Sequence, residues 1–490
     1  MSPRNVFCAR ASRNCSNCRA VKRRCDQQLP HCGQCTRMRE ECPGYRDEWE
    51  LVFRDQTDHT IQRSNEKRAK RTASTGANHS PPPPRGLSPS IDEIGVNYFL
   101  HNFVIGGQSP SRGFLNYIPP IFSADGEHPT LVASMAAVGL VALANSTQQP
   151  ELVSHARVKY SEAIRNVNTA LTSPVESVKD STLMSVISLG VFEHVSNFES
   201  WVQHVQGAAA LVVARGKGQF CSTASILMFN QVRADMAVAC LHGNQPFPEH
   251  MRELQEEAAK HADTSSAWWL LGVLATRCAN LLWSITNNTE KIPWSDFLKV
   301  ATVLQGDFQF VFGLLAIQEP YTTTRESGGD PDIIYNGRYD LYRTSWAIRV
   351  WNNSRNLQMI VCEVTCYLLN KVLTTDLSPV IRAQLKLKLQ ETLQVLSTLG
   401  EDMLATVPQA LGFISSASEH HISVNCFSHT SMSGGYILTW CLYMVGKSPL
   451  IKSKTRKWII RHLQNIGKNA GIAIALQLLE DVVQIDQSAG

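Results

Sequence analysis

Most of the chain follows a helical rhythm of apolar and polar positions. From about Ile91 onward, apolar residues recur at three- and four-residue intervals over long stretches, the spacing that lines one face of an α-helix. Trp201, His204, Val205, Ala208, Leu211 and Val212 form one such stripe, with Gly216 and Gly218 as its predicted end, because glycine commonly closes a helix. Leu385, Leu389, Leu393, Leu396 and Leu399 form another, with Gly400 as its predicted stop. Further helices are predicted near 131–144, 155–171, 181–195, 223–241, 267–286, 297–316, 343–373 and 456–481. Strand-type alternation is rare. The pattern predicts one large all-α region over 91–490.

Upstream of Ile91 that rhythm is missing. Residues 72–90 are rich in Ser, Thr and Gly and contain four consecutive prolines, Pro81 to Pro84, the composition expected of a disordered, partly extended linker. Trp49, Val52 and Phe53 share one helical face, a short interaction helix, but no sustained heptad follows and no coiled coil is predicted. Lys67, Arg68, Lys70 and Arg71 make a short basic run. It reads as a nuclear import signal or a further phosphate contact, against the plainer reading of a solvated linker. The expected organisation is a basic arm over 1–14, a cysteine-rich module over 15–42, a link with the basic run over 43–71, the linker over 72–90 and the helical region over 91–490.

Composition sharpens this division. The 490 residues are 43% apolar, enough to build a large core, and carry 46 Lys plus Arg against 42 Asp plus Glu, a net +4. That charge is uneven. Residues 1–46 hold a balance of +7, residues 47–71 are neutral, and the rest of the chain carries −3. A small basic head on a slightly acidic body suggests a head that meets a polyanion.

The cysteines divide in the same way: seven of the fourteen lie in the first 42 residues. Cys221, Cys240, Cys278, Cys362, Cys366, Cys426 and Cys441 are scattered through apolar sequence and read as ordinary buried thiols. No apolar signal-peptide core precedes the first cysteines. The longest uncharged apolar run, Leu131 to Ala144, is 14 residues, short of the roughly 18–20 that a span needs. The expected setting is therefore reducing, without a membrane, where a cysteine cluster binds metal rather than forming disulfides. The spacing is Cys15-x2-Cys18-x6-Cys25-x6-Cys32-x2-Cys35-x6-Cys42, two near-copies of one motif. Each third cysteine follows about two helical turns later and can fold back to the same ion. Structural zinc takes four ligands. One zinc strands two of these six sulfurs, whereas two Zn2+ use all six if two sulfurs bridge, and the quasi-symmetry suggests Cys15 and Cys32. A disulfide knot and a single zinc are the alternatives. Nearby Arg and Lys offset the cluster's formal −2 charge.

These residues resemble the fungal binuclear zinc-cluster (Zn2Cys6) transcription factors. The likeness rests on the six cysteines, on Arg19-Ala20-Val21-Lys22-Arg23-Arg24 before the third, and on Pro30 in the connecting loop. The resemblance implies two short helices around the cluster, with the first and fourth cysteines bridging. It makes Arg19 to Arg24 a short helix whose C-terminal end enters the major groove of double-stranded DNA. Lys22 then faces a CGG triplet. Arg19, Arg23 and Arg24 hold phosphates, with Arg13 in the approach and Arg37 and Arg39 in the second half. Cys8 lies outside the pattern. The stretch after Cys42, with Pro43-Gly44-Tyr45-Arg46 and later Phe53-Arg54-Asp55, resembles one large branch of the same family. Many members dimerise through a coiled coil, which is not apparent in this sequence, so monomer and homodimer both stay open.

The helical region is similar to the fungus-specific regulatory domain found beside such clusters. The matching pieces are Trp201-x2-His204-x2-Gly207-Ala208, Trp351-Asn352 with Arg355, Gly434-Gly435-Tyr436 before Trp440, Trp458-Ile459-Ile460 and Gly471-Ile472. Taken singly, His204 reads as a satisfied core histidine, His420-His421 as a surface or capping pair, and the tryptophans as core. No hydrolase, P-loop, zincin or dinucleotide-binding motif occurs. The expected function is a nuclear, sequence-specific DNA-binding regulator of RNA polymerase II transcription, not an enzyme. Its helical region would answer to a small molecule or a protein. A zinc adaptor for protein or RNA, and an all-α enzyme with a zinc head, are the competing classes.

Overall fold

The computed structural model describes residues 14–28, 30–45, 89–104, 115–118, 121, 128–326, 328–414 and 431–488. The expectations for Cys8, Arg13, the Trp49 helix, the run from Lys67 to Arg71, His420-His421 and Cys426 lie outside them. The chain forms two compact units, one within the first 90 residues and one beginning at Ile91. The first contains two short helices, α1 (Ser16–Ala20) and α2 (Gly33–Arg37), around a core of cysteines.

The second unit is helical with one small sheet. Its helices are α3 (Ile91–Phe103), α4 (Pro129–Thr147), α5 (Pro150–Leu171), α6 (Asp180–Val195), α7 (Trp201–Arg215), α8 (Thr223–Gly243), α9 (Glu249–Ala258), α10 (Ala267–Thr286), α11 (Trp294–Gln318), α12 (Ser345–Leu373), α13 (Pro379–Leu404), the one-turn α14 (Val407–Ala410), α15 (Met432–Lys447), α16 (Ser453–Lys468) and α17 (Ile474–Ser488). Between α11 and α12 a hairpin pairs β1 (Tyr321–Arg325) with β2 (Arg338–Tyr342), antiparallel, with Tyr321 opposite Tyr342.

Helices α4 and α6 are buried on nearly every side; α4 is apolar almost all round, as a core helix is, whereas α6 buries several polar side chains. One serine of α6 returns its hydroxyl to the helix's own backbone: Ser185 Oγ donates to the Ser181 carbonyl at 2.7 Å. Helices α3 and α4 cross backbone to backbone. A Cβ on Gly139 would lie 1.8 Å from the Gly95 carbonyl oxygen. Two helices, α4 and α11, are long and apolar enough to cross a membrane by length and composition, more than the 14-residue run suggested. Helix α4 is mostly buried in this unit, and α11 carries Asp296, Lys299 and Asp307.

Three details differ from the sequence expectation. Gly400 does not stop its helix, because α13 continues to Leu404 and Gly400 packs against Val445. The stretch 456–481 is two helices, broken where Gly471 takes φ +77°. Its carbonyl accepts a 2.9 Å hydrogen bond from Asn145 Nδ2, so the break is docked on the end of α4. Cys221 is exposed and Cys366 half-buried, whereas Cys240, Cys278, Cys362 and Cys441 are buried.

The Trp351-Asn352-Arg355 motif fastens the hairpin to the helices. Trp351 Nε1 donates to the Glu319 carbonyl at 2.7 Å, and Asn352 Nδ2 donates to Thr406 Oγ1 at 2.9 Å. Arg355 is fully buried, donates to the Tyr342 hydroxyl at 2.9 Å and lies over the Trp351 and Tyr321 rings. Trp458 Nε1 similarly donates to the Pro331 carbonyl at 3.0 Å.

Candidate metal centre and nucleic-acid interface

Each half of the cysteine repeat builds the same local structure. Helices α1 and α2 have five residues each, too few to persist alone. A cysteine sulfur caps each one. The Cys18 N–H points to Cys15 Sγ at 3.5 Å, and the Cys35 N–H to Cys32 Sγ at 3.3 Å. Both helices then end in the same way. Lys22 and Arg39 take left-handed backbone angles, φ 52° and 53°. The next N–H groups reach back, Arg23 to the Cys18 carbonyl at 2.9 Å and Glu40 to the Cys35 carbonyl at 3.0 Å. A left-handed non-glycine residue costs about 1–2 kcal/mol, so the surrounding structure must hold both tips in place.

This corrects the sequence expectation of a helix from Arg19 to Arg24. The helix ends at Ala20, and Lys22, Arg23 and Arg24 lie beyond it. Cys25 therefore returns to the core from irregular chain, not from a second helical turn.

The sulfurs converge. Cys15, Cys18, Cys32 and Cys35 are buried with their sulfurs mutually within 4.8 Å, and Cys25, Asp26 and Cys32 form an overlapping group. Cys42 is buried in the same core but stands outside both groups. The Sγ–Sγ distances are 3.6 Å for Cys15–Cys32, 3.7 Å for Cys15–Cys35 and 3.7 Å for Cys18–Cys32. A tetrahedral zinc with Zn–S bonds near 2.3 Å sets its sulfurs about 3.8 Å apart, so the spacing fits zinc coordination. No disulfide forms among the described residues. Without metal the thiols differ. The Cys35 N–H draws Cys32 down to about 6, while burial pushes Cys15 up and Cys35 to about 11.

The cations fall into two groups. Lys22, Arg24, Arg37 and Arg39 are exposed. Arg19 is half-buried and donates to Ser16 Oγ at 3.3 Å. Arg23 faces inward: it pairs with Glu40 of the second half and points an N–H at Cys35 Sγ, 3.9 Å away. Asp26 accepts the Gly33 N–H at 2.9 Å, and a Cβ on Gly33 would lie 2.5 Å from its carboxylate. The glycine lets that cap approach. The sequence reading missed the Arg23–Glu40 brace and the Asp26 cap. It also missed that Lys22 and Arg39 are twins, although each lies seven residues past the first cysteine of its half.

In the helical unit, His204 belongs to a polar chain across three helices. The Tyr160 hydroxyl lies 2.7 Å from both Glu193 Oε1 and His204 Nε2, and Glu193 Oε2 accepts the Ser200 N–H at 3.1 Å. A carboxylate only accepts, so Tyr160 donates to Glu193 and accepts from His204 Nε2–H. Burial lowers the His204 pKa and raises that of Tyr160. The neutral imidazole thus ties α7 to α5.

A sulfur cage of zinc spacing, fronted by exposed cations, defines a zinc-cluster DNA-binding module. Residues 13–49 match the family described as the fungal Zn(2)-Cys(6) binuclear cluster domain, and residues 96–242 match the fungal specific transcription factor domain. Together the two matches support a fungal Zn2Cys6 transcription factor, a DNA-binding transcription regulator whose cluster takes two zinc ions. The second match lies mid-chain and ends at residue 242, so the pieces around Trp351, Gly434, Trp458 and Gly471 fall beyond it. No curated protein and no solved structure matches the chain.

Proposed function

We propose that the protein acts in the nucleus on RNA polymerase II promoters, that its head reads CGG-type elements, and that its helical region regulates without catalysis. The observation that carries this reading is the placement of Lys22, exposed at a fixed left-handed tip directly beyond a helix capped by the sulfur cage. A lysine there can donate to the O6 and N7 acceptors of guanine in the major groove. Arg19, Arg24, Arg37 and Arg39, with Arg13 ahead of them, hold phosphates. Arg23 braces the two halves through Glu40. Lys67, Arg68, Lys70 and Arg71 serve import, and 72–90 links the head to the helical region from residue 91.

One zinc is held by Cys15, Cys18, Cys25 and Cys32, the other by Cys32, Cys35, Cys42 and Cys15. Cys32 falls in both sulfur groups, and Cys15 lies within 3.7 Å of both Cys32 and Cys35, which supports these two as the bridges. Bound zinc cross-links the halves and fixes the tips.

The test is a gel shift of the full chain on CGG duplexes and on variants of that triplet. Zinc-dependent binding with CGG preference is expected, and Lys22→Ala should flatten the preference by about 1–3 kcal/mol while leaving non-specific binding nearly intact. Equal binding of all triplets by the unaltered protein would sink the reading, and a preference for RNA would move it to the adaptor class.

A further inference from the structure

Among the described residues, helix α11 packs through one of its faces. Phe297, Ala301, Leu304, Phe308, Val311 and Leu315 are buried, where the helix packs on α10 and α12. The opposite face is apolar and open to solvent. Val300 is 47% exposed, Val303 56%, Phe310 63% and Ile317 78%. Val303, Phe310 and Ile317 stand seven residues apart, on one line along the helix, the spacing of a helix-pairing seam. Gly306 and Gly313 are exposed beside that line, and a Cβ on either would meet nothing within 4 Å.

Those glycines have no reason within the chain. Glycine is the least favourable helix-interior residue after proline, and among the described residues no neighbouring element approaches either one. They leave a notch on one side of Phe310. We propose that this face joins two copies of the chain, with the two α11 helices antiparallel about Phe310. Each Phe310 ring then seats in the Gly306–Gly313 notch of the other copy. Val303 of one copy meets Ile317 of the other, and vice versa, because the two lie seven positions either side of Phe310. A two-fold contact requires this kind of self-complementary surface.

The area is of the right order. The exposed parts of these four side chains amount to roughly 400 Å² of apolar surface, as large as the biggest patch on a typical monomer. Each partner in a standard interface gives about 800 Å², somewhat over half of it apolar, so the stripe supplies the core and its flanking Thr302, Gln309 and Ala316 the rim. A membrane is the other apolar occupant that such a helix could meet. Its charges, Asp296, Lys299 and the Arg277-paired Asp307, and its packed inner face both oppose insertion.

The experiment is sedimentation of the full chain without DNA, at concentrations from about 1 to 100 μM. A dimer is expected. Phe310→Glu and Ile317→Lys should each weaken it by at least about 100-fold, as loss of a central anchor does, with unchanged circular dichroism. The V303E/I317K double variant should regain the dimer, since its opposite charges face each other only in the antiparallel register. The G306A/G313A variant should melt at a higher temperature yet dimerise about 10-fold more weakly. A monomer at 100 μM, a dimer indifferent to Phe310→Glu, or vesicle binding by a monomer would each overturn the proposal.

Discussion

Lys22 and Arg39 show how much a single backbone angle can decide. Neither tip is reachable from helical propensity, because both residues have left the helix when they turn. The six cysteines were legible because metal chemistry constrains residue type and spacing together. The tips were only half legible. Lys22 and Arg39 were both found as cations of the head, but their charge says nothing of the left-handed turn that each one makes. Buried histidines carry a different kind of consequence. Burial drops His194 to about 3 and His462 to about 4, from about 6.5 in an unfolded chain. The unfolded state therefore binds more protons below pH 6.5, and stability falls as pH drops from there toward those values. Thermal unfolding followed by circular dichroism should show a lower melting temperature at pH 5 than at pH 7. Each histidine contributes up to about 1.4 kcal/mol per pH unit to that loss, and His462→Asn should make the profile shallower in that window.

At the scale of elements, periodicity located nearly every long helix but not its ends. Gly400 and Gly471 look alike in sequence. One sits inside a helix facing Val445, and the other breaks the chain onto Asn145. What separates them is a neighbour far away in sequence, which a local pattern does not contain. The hairpin was missed for the same reason. Tyr321–Arg325 reads as a polar run until Arg338–Tyr342 pairs with it, with Asp340 buried against Arg338 and Thr323. Glycines also differ in what they protect. Gly139→Val forces apart helices that touch through their backbones, and should cost about 1–3 kcal/mol or more in urea unfolding. Gly306→Ala, in open space, should instead stabilise the monomer by about 1 kcal/mol.

On the scale of the whole molecule, the two units depend on different forces. The first has a core of cysteines and two five-residue helices, so its fold rests on metal. The second rests on buried apolar side chains. Chelation should therefore abolish DNA binding while leaving the helical circular dichroism of the full chain almost unchanged. A large loss of helix on zinc removal would show that the second unit also needs the metal. The uneven charge already marked this division in the sequence, since the +7 of the first 46 residues sits apart from the acidic remainder.

The head has a duplicated backbone without duplicated charge. Between its second and third cysteines the first half reads Arg19-Ala20-Val21-Lys22-Arg23-Arg24, and the second reads Thr36-Arg37-Met38-Arg39-Glu40-Glu41. Two equivalent tips could each enter a groove, so shape alone gives the head no polarity on a duplex. On the proposed reading charge breaks the tie: Arg23 and Glu40 neutralise each other across the halves, which leaves Arg19, Lys22 and Arg24 on the first side against Arg37, Arg39 and the phosphate-repelling Glu41 on the second. On that reading the direction in which the protein lies along DNA would be written in electrostatics upon a symmetric scaffold. The R23E/R24E/E40R/E41R exchange keeps the internal ion pair with its ends reversed. Footprinting should show it turned end for end on the same site.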